Sequence, residues 1–447
     1  MHSTRTRIAS HLPKRLAICY YGWDWLTSAL PDEAYGDLDR AMRETKERGF
    51  NCIRPDMGLG LLYDRSGQRL GRLEFRARLP GVNSNMQCVD AKGGGIHDVW
   101  QRVMHLFELA EKHDLYIIGT SWLYQDLLTD VADDALRTEL VSVPYNDRMM
   151  LLAKQWDWLL TDLKCRGLVH RLAMMELGNE LECVPCSAAP EHTAPPTWQA
   201  WIDESLLKAP PEQSRELARQ ALALVQEKHP DVLSTVDFAS ADHLATFFPD
   251  NAQVVDHHVY SDGVTNDLLE MMKKSGGANR FSYETGPVLE GNDIRSLLRT
   301  DIMDWPEFCR RTEGTRKGWW PTAWFYQNID NSKYDAWCMA HYDSYRARIK
   351  ESVEKAFYTA ANFAKARGLP LVVDEGFVFY PPLHSRFVTT PEGRWGEEIA
   401  VNSAIAHGYW GILPTGYFRP NTPLVWYNDS QCEWIAGLNL RILNSGG

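Results

Sequence analysis

Leu172-Ala-Met-Met-Glu176-Leu-Gly-Asn179-Glu180 is a short apolar run that ends in a glycine, an asparagine and a carboxylate. Further along, Leu369-Pro-Leu-Val-Val-Asp374-Glu375-Gly376 repeats the form. An apolar run of this length bounded by turn residues reads as a strand buried on both faces. Buried strands with polar, glycine-bearing C-terminal ends are how an α/β barrel delivers side chains to its working face.

Outward from these two runs, strand and helix patterns alternate. Arg15–Tyr21 reads as a first strand, Glu33–Arg48 as a helix stopped by Gly49, and Phe50–Arg54 as a second strand. A helix over His97–His113, a strand over Leu115–Thr120 and a helix over Asp147–Cys165 lead to the first glutamate run, strand four. Pro211–His229 is a helix with proline at its start and a basic last turn, as helix ends prefer. Strands follow at Val232–Phe238 and Val254–Tyr260, then a helix over Tyr342–Arg367 closed by Gly368. The second glutamate run is strand seven; a helix over Trp395–His407, strand eight at Tyr409–Pro414 and a helix over Glu433–Leu443 complete the series. Eight strands alternating with helices predict a (β/α)8 barrel.

Connection lengths agree. Links from helix to strand are short (Gly49, Asp114, Gly368-Leu-Pro), whereas links leaving strands are long, at about 55–96, 181–210 and 261–334. In a barrel the long links share the face that carries chemistry. The first of them is expected to hold a hairpin around Leu61–Leu73. The expected organisation is an N-terminal arm over 1–15 and one barrel with insertions over 16–447.

Composition narrows the ligand. A net charge of −12 over 447 residues opposes nucleic-acid binding, since phosphates demand a basic surface. No apolar run approaches the roughly 20 residues of a membrane helix. The basic N-terminus lacks the apolar segment of a signal peptide, and nine scattered cysteines suit a reducing compartment; the expectation is a cytoplasmic protein. The 17 Trp and 18 Tyr offer flat faces with polar rims, suited to sugar rings and to cores alike.

Two carboxylates presented from two strands are the apparatus of retaining glycoside hydrolysis. Glu180 is the expected acid/base, with its proton held by a partly desolvated setting that raises its pKa. Asn179 beside it can bond a sugar hydroxyl. Glu375 is the expected nucleophile, kept ionised by Arg54 at the end of strand two. His258 and Tyr260, on strand six, are expected to bind sugar and donate to the nucleophile; adjacent His257 must face away if the strand is regular. Asn279-Arg-Phe-Ser-Tyr-Glu284-Thr-Gly286 has the same strand-then-glutamate form and makes Glu284 the competing nucleophile. The crossover-length helix before Glu375 favours Glu375.

These residues together resemble clan A of the glycoside hydrolases, within it the cellulase-like, family-5-type enzymes, over most of the chain from Leu16 to the last strand. The resemblance implies an eight-stranded barrel with a retaining double displacement and no cofactor. It matches Glu180 after Asn179 to the acid/base, Glu375 to the nucleophile, Arg54 to the strand-two arginine, and His258 with Tyr260 to the strand-six His-x-Tyr. Glu176 looks like the buried glutamate four residues before the acid/base. Leu181 stands where proline is usual, and Gly119-Thr-Ser-Trp122 where strand three usually offers histidine. Trp122, Trp410 in strand eight and Trp320, within Gly318–Tyr326, are the expected sugar platforms; for the last, a satellite core is the equal alternative.

The expected substrate is a β-linked oligosaccharide or glycoside. A catalytically silent carbohydrate-binding barrel is the rival. A metal-dependent hydrolase built on Cys183, Cys186 and His192 is the weaker third, since no second ligand pair at zinc spacing follows.

Overall fold

Each of the eight apolar runs forms a strand, and all are parallel: β1 (Leu16–Gly22), β2 (Cys52–Pro55), β3 (Tyr116–Gly119), β4 (Leu172–Glu176), β5 (Ser234–Thr235), β6 (Val255–Asp256), β7 (Leu371–Val373) and β8 (Gly411–Ile412). The computed structural model describes residues 8–77, 89–182, 192–203, 210–260, 281–290, 293–315, 320–376 and 381–446, with isolated positions between 267 and 279 and Lys317. Cys183 and Cys186 lie outside the described residues.

The strands bond in the order β5-β4-β3-β2-β1-β8-β7-β6, so β8 returns to β1 through Leu16↔Gly411 and Ala17↔Ile412. No continuous ladder joins β5 to β6. That seam is bridged instead by His258 N–H to Phe238 O at 2.7 Å and Gln253 N–H to Ser234 O at 3.1 Å. The result is a nearly closed (β/α)8 barrel whose strands, covered on both faces, are almost continuously apolar as parallel sheets require.

Helices follow the strands as α1 (Leu38–Glu47), α2 (Val99–His113), α3 (Tyr145–Cys165), α4 (Pro211–Lys228), a single turn α5 (Leu244–Phe247), α6 (Asn331–Arg367), α7 (Pro391–Ala406) and α8 (Asp429–Asn444). Local chemistry sets their ends. The Asp37 and Asp98 side chains accept the N–H of Arg40 and Gln101 to start α1 and α2, satisfying donors the helix cannot pair itself. Helix α1 therefore starts after Asp37 and not at Glu33, whose carboxylate holds the Lys92 and Gly93 N–H groups of the first insertion. Helix α6 starts at Asn331, earlier than the expected Tyr342. Asp330 caps it, and buried Tyr334, Cys338 and Tyr342 extend its inward stripe at four-residue spacing.

The expected hairpin in the first insertion is present but short, and a second antiparallel pair follows it. Tyr63 bridges Arg69 around a tight turn, and the longer antiparallel pair joins Arg72–Ala77 to Gly93–Asp98. At the opposite end of the barrel the N-terminal arm crosses the strand starts. Tyr116 Oη–H donates to His11 O at 2.9 Å and the Trp410 indole to Pro13 O at 3.0 Å.

At the working end, Gly376 turns the chain away directly after Glu375. Its φ is +116°, and a Cβ there would lie 2.0 Å from Val259 O, an overlap no side chain tolerates and a backbone region essentially reserved for glycine. Gly376→Ala is therefore expected to destabilise the fold by at least about 3 kcal/mol, read as a lower urea midpoint; an unchanged midpoint would contradict this account of the turn.

Candidate active site

Arg54, paired with Tyr20 across β1–β2, projects into the barrel and is fully buried. Its Nη1 donates to Glu375 Oε2 at 2.7 Å, and its Nη2 to Glu176 Oε2 at 2.8 Å, Asn179 Oδ1 at 2.8 Å and Asp237 Oδ2 at 2.6 Å. Its Nε lies 2.7 Å from Asp374 Oδ2, as an ion pair without the alignment of a hydrogen bond. The Trp122 ring backs the guanidinium at 4.7 Å. Burying a charge costs several kcal/mol unless partners replace water. Burial alone would lower Arg54, but Asp374, Glu176, Asp237 and Glu375 more than reverse it and hold its pKa well above the ordinary value.

Carboxyls outnumber cations here, so protons stay in the cluster. Burial acts to raise Glu176, yet Arg54 and hydrogen bonds from Asp374 and Asp237 bring it down to about 2. Burial lifts Asp374 to about 7 against the pull of Arg54. Asp237 and Asp256 rise well above their ordinary values, by burial first and then by neighbouring carboxylates. Among the described residues two groups have metal-ligand spacing, Glu180–His258–Glu375 and Glu176–Asp256–Asp374. Arg54 lies against Glu375 Oε2 in the first group and against Glu176 Oε2 and Asp374 Oδ2 in the second.

Glu180 has φ of +49°, a left-handed conformation that costs a side-chain-bearing residue about 1–2 kcal/mol. Its backbone is held by neighbours on both sides. Asn179 N–H donates to Ser121 O at 2.9 Å, Glu180 N–H to Asp237 Oδ1, and Leu181 N–H to Asp237 O at 3.1 Å. The carboxylate is gripped at each oxygen: His258 Nδ1 lies 2.9 Å from Oε1, and Gln125 Nε2 donates to Oε2 at 2.9 Å. Gln125 is carried on a one-turn π-helix, Leu123–Leu127, that follows β3, a form often found at functional sites.

The expected upward shift of Glu180 is reversed in this unliganded site. Burial does act upward, but the hydrogen bond and charge of His258 outweigh it and bring Glu180 below its ordinary value. Burial would lower His258, and Glu375, Asp237, Asp374 and Glu180 instead raise it well above its own. Each group thus favours the charged form of the other, the imidazole upward and the carboxyl downward. Across the site, Tyr260 Oη–H donates to Glu375 Oε1 at 2.5 Å while Arg54 holds Oε2. An oxygen of Glu180, a ring nitrogen of His258 and an oxygen of Glu375 all lie within 4.8 Å of one another.

The family model for sugar-binding cellulase-like proteins matches residues 18–443. The chain belongs to the cellulase-like family. Similar solved structures include a putative glycoside hydrolase from Parabacteroides distasonis, 16% identical over 96% of this chain and 93% of that one, with a TM-score of 0.60. An exo-β-1,4-mannosidase from an Opitutaceae bacterium is 13% identical over 100% of this chain and 63% of that one, at 0.51. At these identities the likeness is one of fold. No match was found among curated proteins. Among the described residues no helix is long and apolar enough to cross a membrane.

In this cellulase-like barrel Arg54, Asn179, Glu180, His258, Tyr260 and Glu375 converge as the sequence predicts. His257 faces the helices, its Nε2 2.7 Å from Tyr409 Oη, as strand alternation requires. Two expectations change, for Trp410 and Trp122, and two open choices close, for Trp320 and Glu284. Trp410 sits at the start of β8, bonded to the N-terminal arm, at the far end from Glu180. Trp320 packs edge-on against Trp305 and Phe308, at 6.0 and 6.3 Å, in a satellite core. Trp122 lies at the site but is 1% exposed, so its face serves Arg54 more than a sugar. Glu284 is exposed on an antiparallel hairpin, Phe281–Ser282 with Gly286–Pro287, outside the barrel sheet.

Sequence reading missed Asp237, although it ends strand five just as Glu180 ends strand four. Asp374 was noted only as the residue before Glu375. Gln125 carries no periodic signal.

The raised Asp374 has a consequence for stability. Its ordinary value is 3.8 and its folded value about 7, so between these the folded state keeps a proton the unfolded chain has released. Its stabilising contribution is full below the unfolded value and falls as pH rises toward 7. Asp374→Asn cannot ionise. Wild-type minus variant unfolding free energy in urea is expected to decline from about pH 4 to about pH 7; a difference that climbs over that range would show Asp374 ionised throughout.

Proposed function

We propose that this cellulase-like barrel is a retaining glycoside hydrolase acting on a β-linked oligosaccharide or glycoside. The observation that carries the reading is the facing of Glu180 and Glu375, with oxygens within 4.8 Å. Retaining enzymes set their carboxyl groups about 5–5.5 Å apart, and inverting enzymes about 6.5–9.5 Å. The unequal settings of the two carboxylates support distinct roles.

Glu375, with one oxygen on Arg54 and the other on Tyr260, is held in place for attack on the anomeric carbon. Glu180 shares a proton with His258; a sugar entering beside it draws that proton to the leaving oxygen as the glycosidic bond breaks. Formation of the glycosyl ester neutralises Glu375, which removes one of the charges that raise His258. Glu180 then takes a proton from water, which attacks the ester and releases a sugar of retained configuration. Asn179 Nδ2 donates to Gln125 Oε1 at 2.7 Å while its Oδ1 accepts from Arg54, which fixes the amide beside Glu180. A silent sugar-binding barrel would keep binding without this chemistry.

Incubation with a panel of 2-deoxy-2-fluoro-β-glycosides followed by peptide mass mapping is expected to place the label on Glu375. Glu180→Ala and Glu375→Ala should each lower turnover by at least about 1000-fold. Sugar binding without label, or near-wild-type turnover in either variant, would sink the reading.

A further inference from the structure

The acid/base occupies a backbone conformation that its own residue type disfavours, so something outside β4 must hold it there. The ladder between β4 and β5 ends with Leu177 N–H on Thr235 O at 2.9 Å. Beyond that point the pairing continues through one residue. Asp237 Oδ1 takes the N–H of Glu180, and Asp237 O takes the N–H of Leu181 at 3.1 Å. The second bond needs an N–H at position 181, which leucine has and proline lacks. The other oxygen, Asp237 Oδ2, accepts from Arg54 Nη2 at 2.6 Å, and Asp237 is fully buried. It touches the backbone of the acid/base and the guanidinium that holds the nucleophile, but not the space for the sugar.

We infer that Asp237 is a positioning residue that locks Glu180 in its left-handed conformation and so aims the acid/base carboxyl at the leaving oxygen. This rests on the proposed function, and it deepens it by naming which half of the chemistry Asp237 serves. Asp237 can act on the acid/base, through the Glu180 backbone and through its charge on His258 3.9 Å away, or on the nucleophile through Arg54. The two halves have different kinetic signatures. A residue that acts through Glu180 matters when the leaving group needs a proton. A residue that acts through Arg54 and Glu375 matters for every leaving group alike.

The test uses the full chain and two β-glycosides of whichever sugar the wild type accepts, one with a dinitrophenyl leaving group and one with an alkyl leaving group. Asp237→Ala removes both side-chain bonds, to Glu180 N–H and to Arg54, and keeps the backbone bond to Leu181 N–H. Asp237→Asn keeps the volume; its amide oxygen turns to the charged Arg54 donor and leaves an amide N–H2 against the Glu180 N–H. Both variants are expected to lose about 100-fold in kcat/KM on the alkyl glycoside and less than about tenfold on the dinitrophenyl glycoside. Added azide should accelerate turnover of the dinitrophenyl substrate, with the glycosyl azide as product, because an external nucleophile bypasses the mispositioned base. If Asp237→Ala does not fold, Asp237→Asn alone decides by the same ratio. Equal losses on both substrates, or no loss in Asp237→Asn, overturn the inference. A wild type that turns over neither substrate instead removes the proposed function beneath it.

Discussion

One buried guanidinium organises this barrel. Arg54 meets Glu176, Asp237, Asp374 and Glu375, and so gathers side chains from β4, β5 and β7 around a residue of β2. Neither sign of charge is stable there alone. An unpartnered guanidinium would carry its full desolvation cost, and the carboxyls without it would have to take up further protons. Planarity matters as much as charge, since a rigid fork can hold several oxygens in fixed directions where an ammonium would hold them loosely. Position follows from charge balance: Glu375 and Asn179 stand where they do because Arg54 offers each an N–H.

That balance also separates two carboxylates of the same residue type. Glu375 is gripped by a permanent cation and a phenol. Glu180 is gripped by an imidazole, which can release or share a proton, and by a neutral amide that donates without giving its proton up. Similar strand ends thus acquire opposite chemical tempers from what surrounds them, which is how paired carboxyls in one site come to differ.

Much of this was legible in the chain, and the reasons are local. Buried parallel strands advertise themselves as apolar runs, and their ends as polar residues beside glycine, so Glu180, Glu375, Arg54, His258 and Tyr260 could be read off. What escaped depends on three-dimensional context. Asp237 ends a run as apolar as its neighbours, but only the approach of β4 shows that its carboxylate faces the backbone of Glu180. Gln125 sits in a π-helical turn with no sequence period. Trp410 and Trp320 were assigned by residue type, yet where a ring lies along a strand, or which rings surround it, is a matter of tertiary packing. One puts its indole on Pro13 O, and the other lies against Trp305 and Phe308.

The seam between β5 and β6 gives the barrel the mechanics of a split ring. Counted from the cut, β4 with Glu180 is the second strand on one side, and β7 with Glu375 is the second on the other. The gap between the two carboxylates is thus also the mouth of the split. Around the closed arc, ladders fix every spacing, while across the cut the width is set by a few backbone bonds and by Arg54 acting as a tie bar. Across the cut, the spacing between the two carboxylates is therefore left by the ladders to Arg54, which touches Glu375 directly and reaches Glu180 through Asn179 and Asp237.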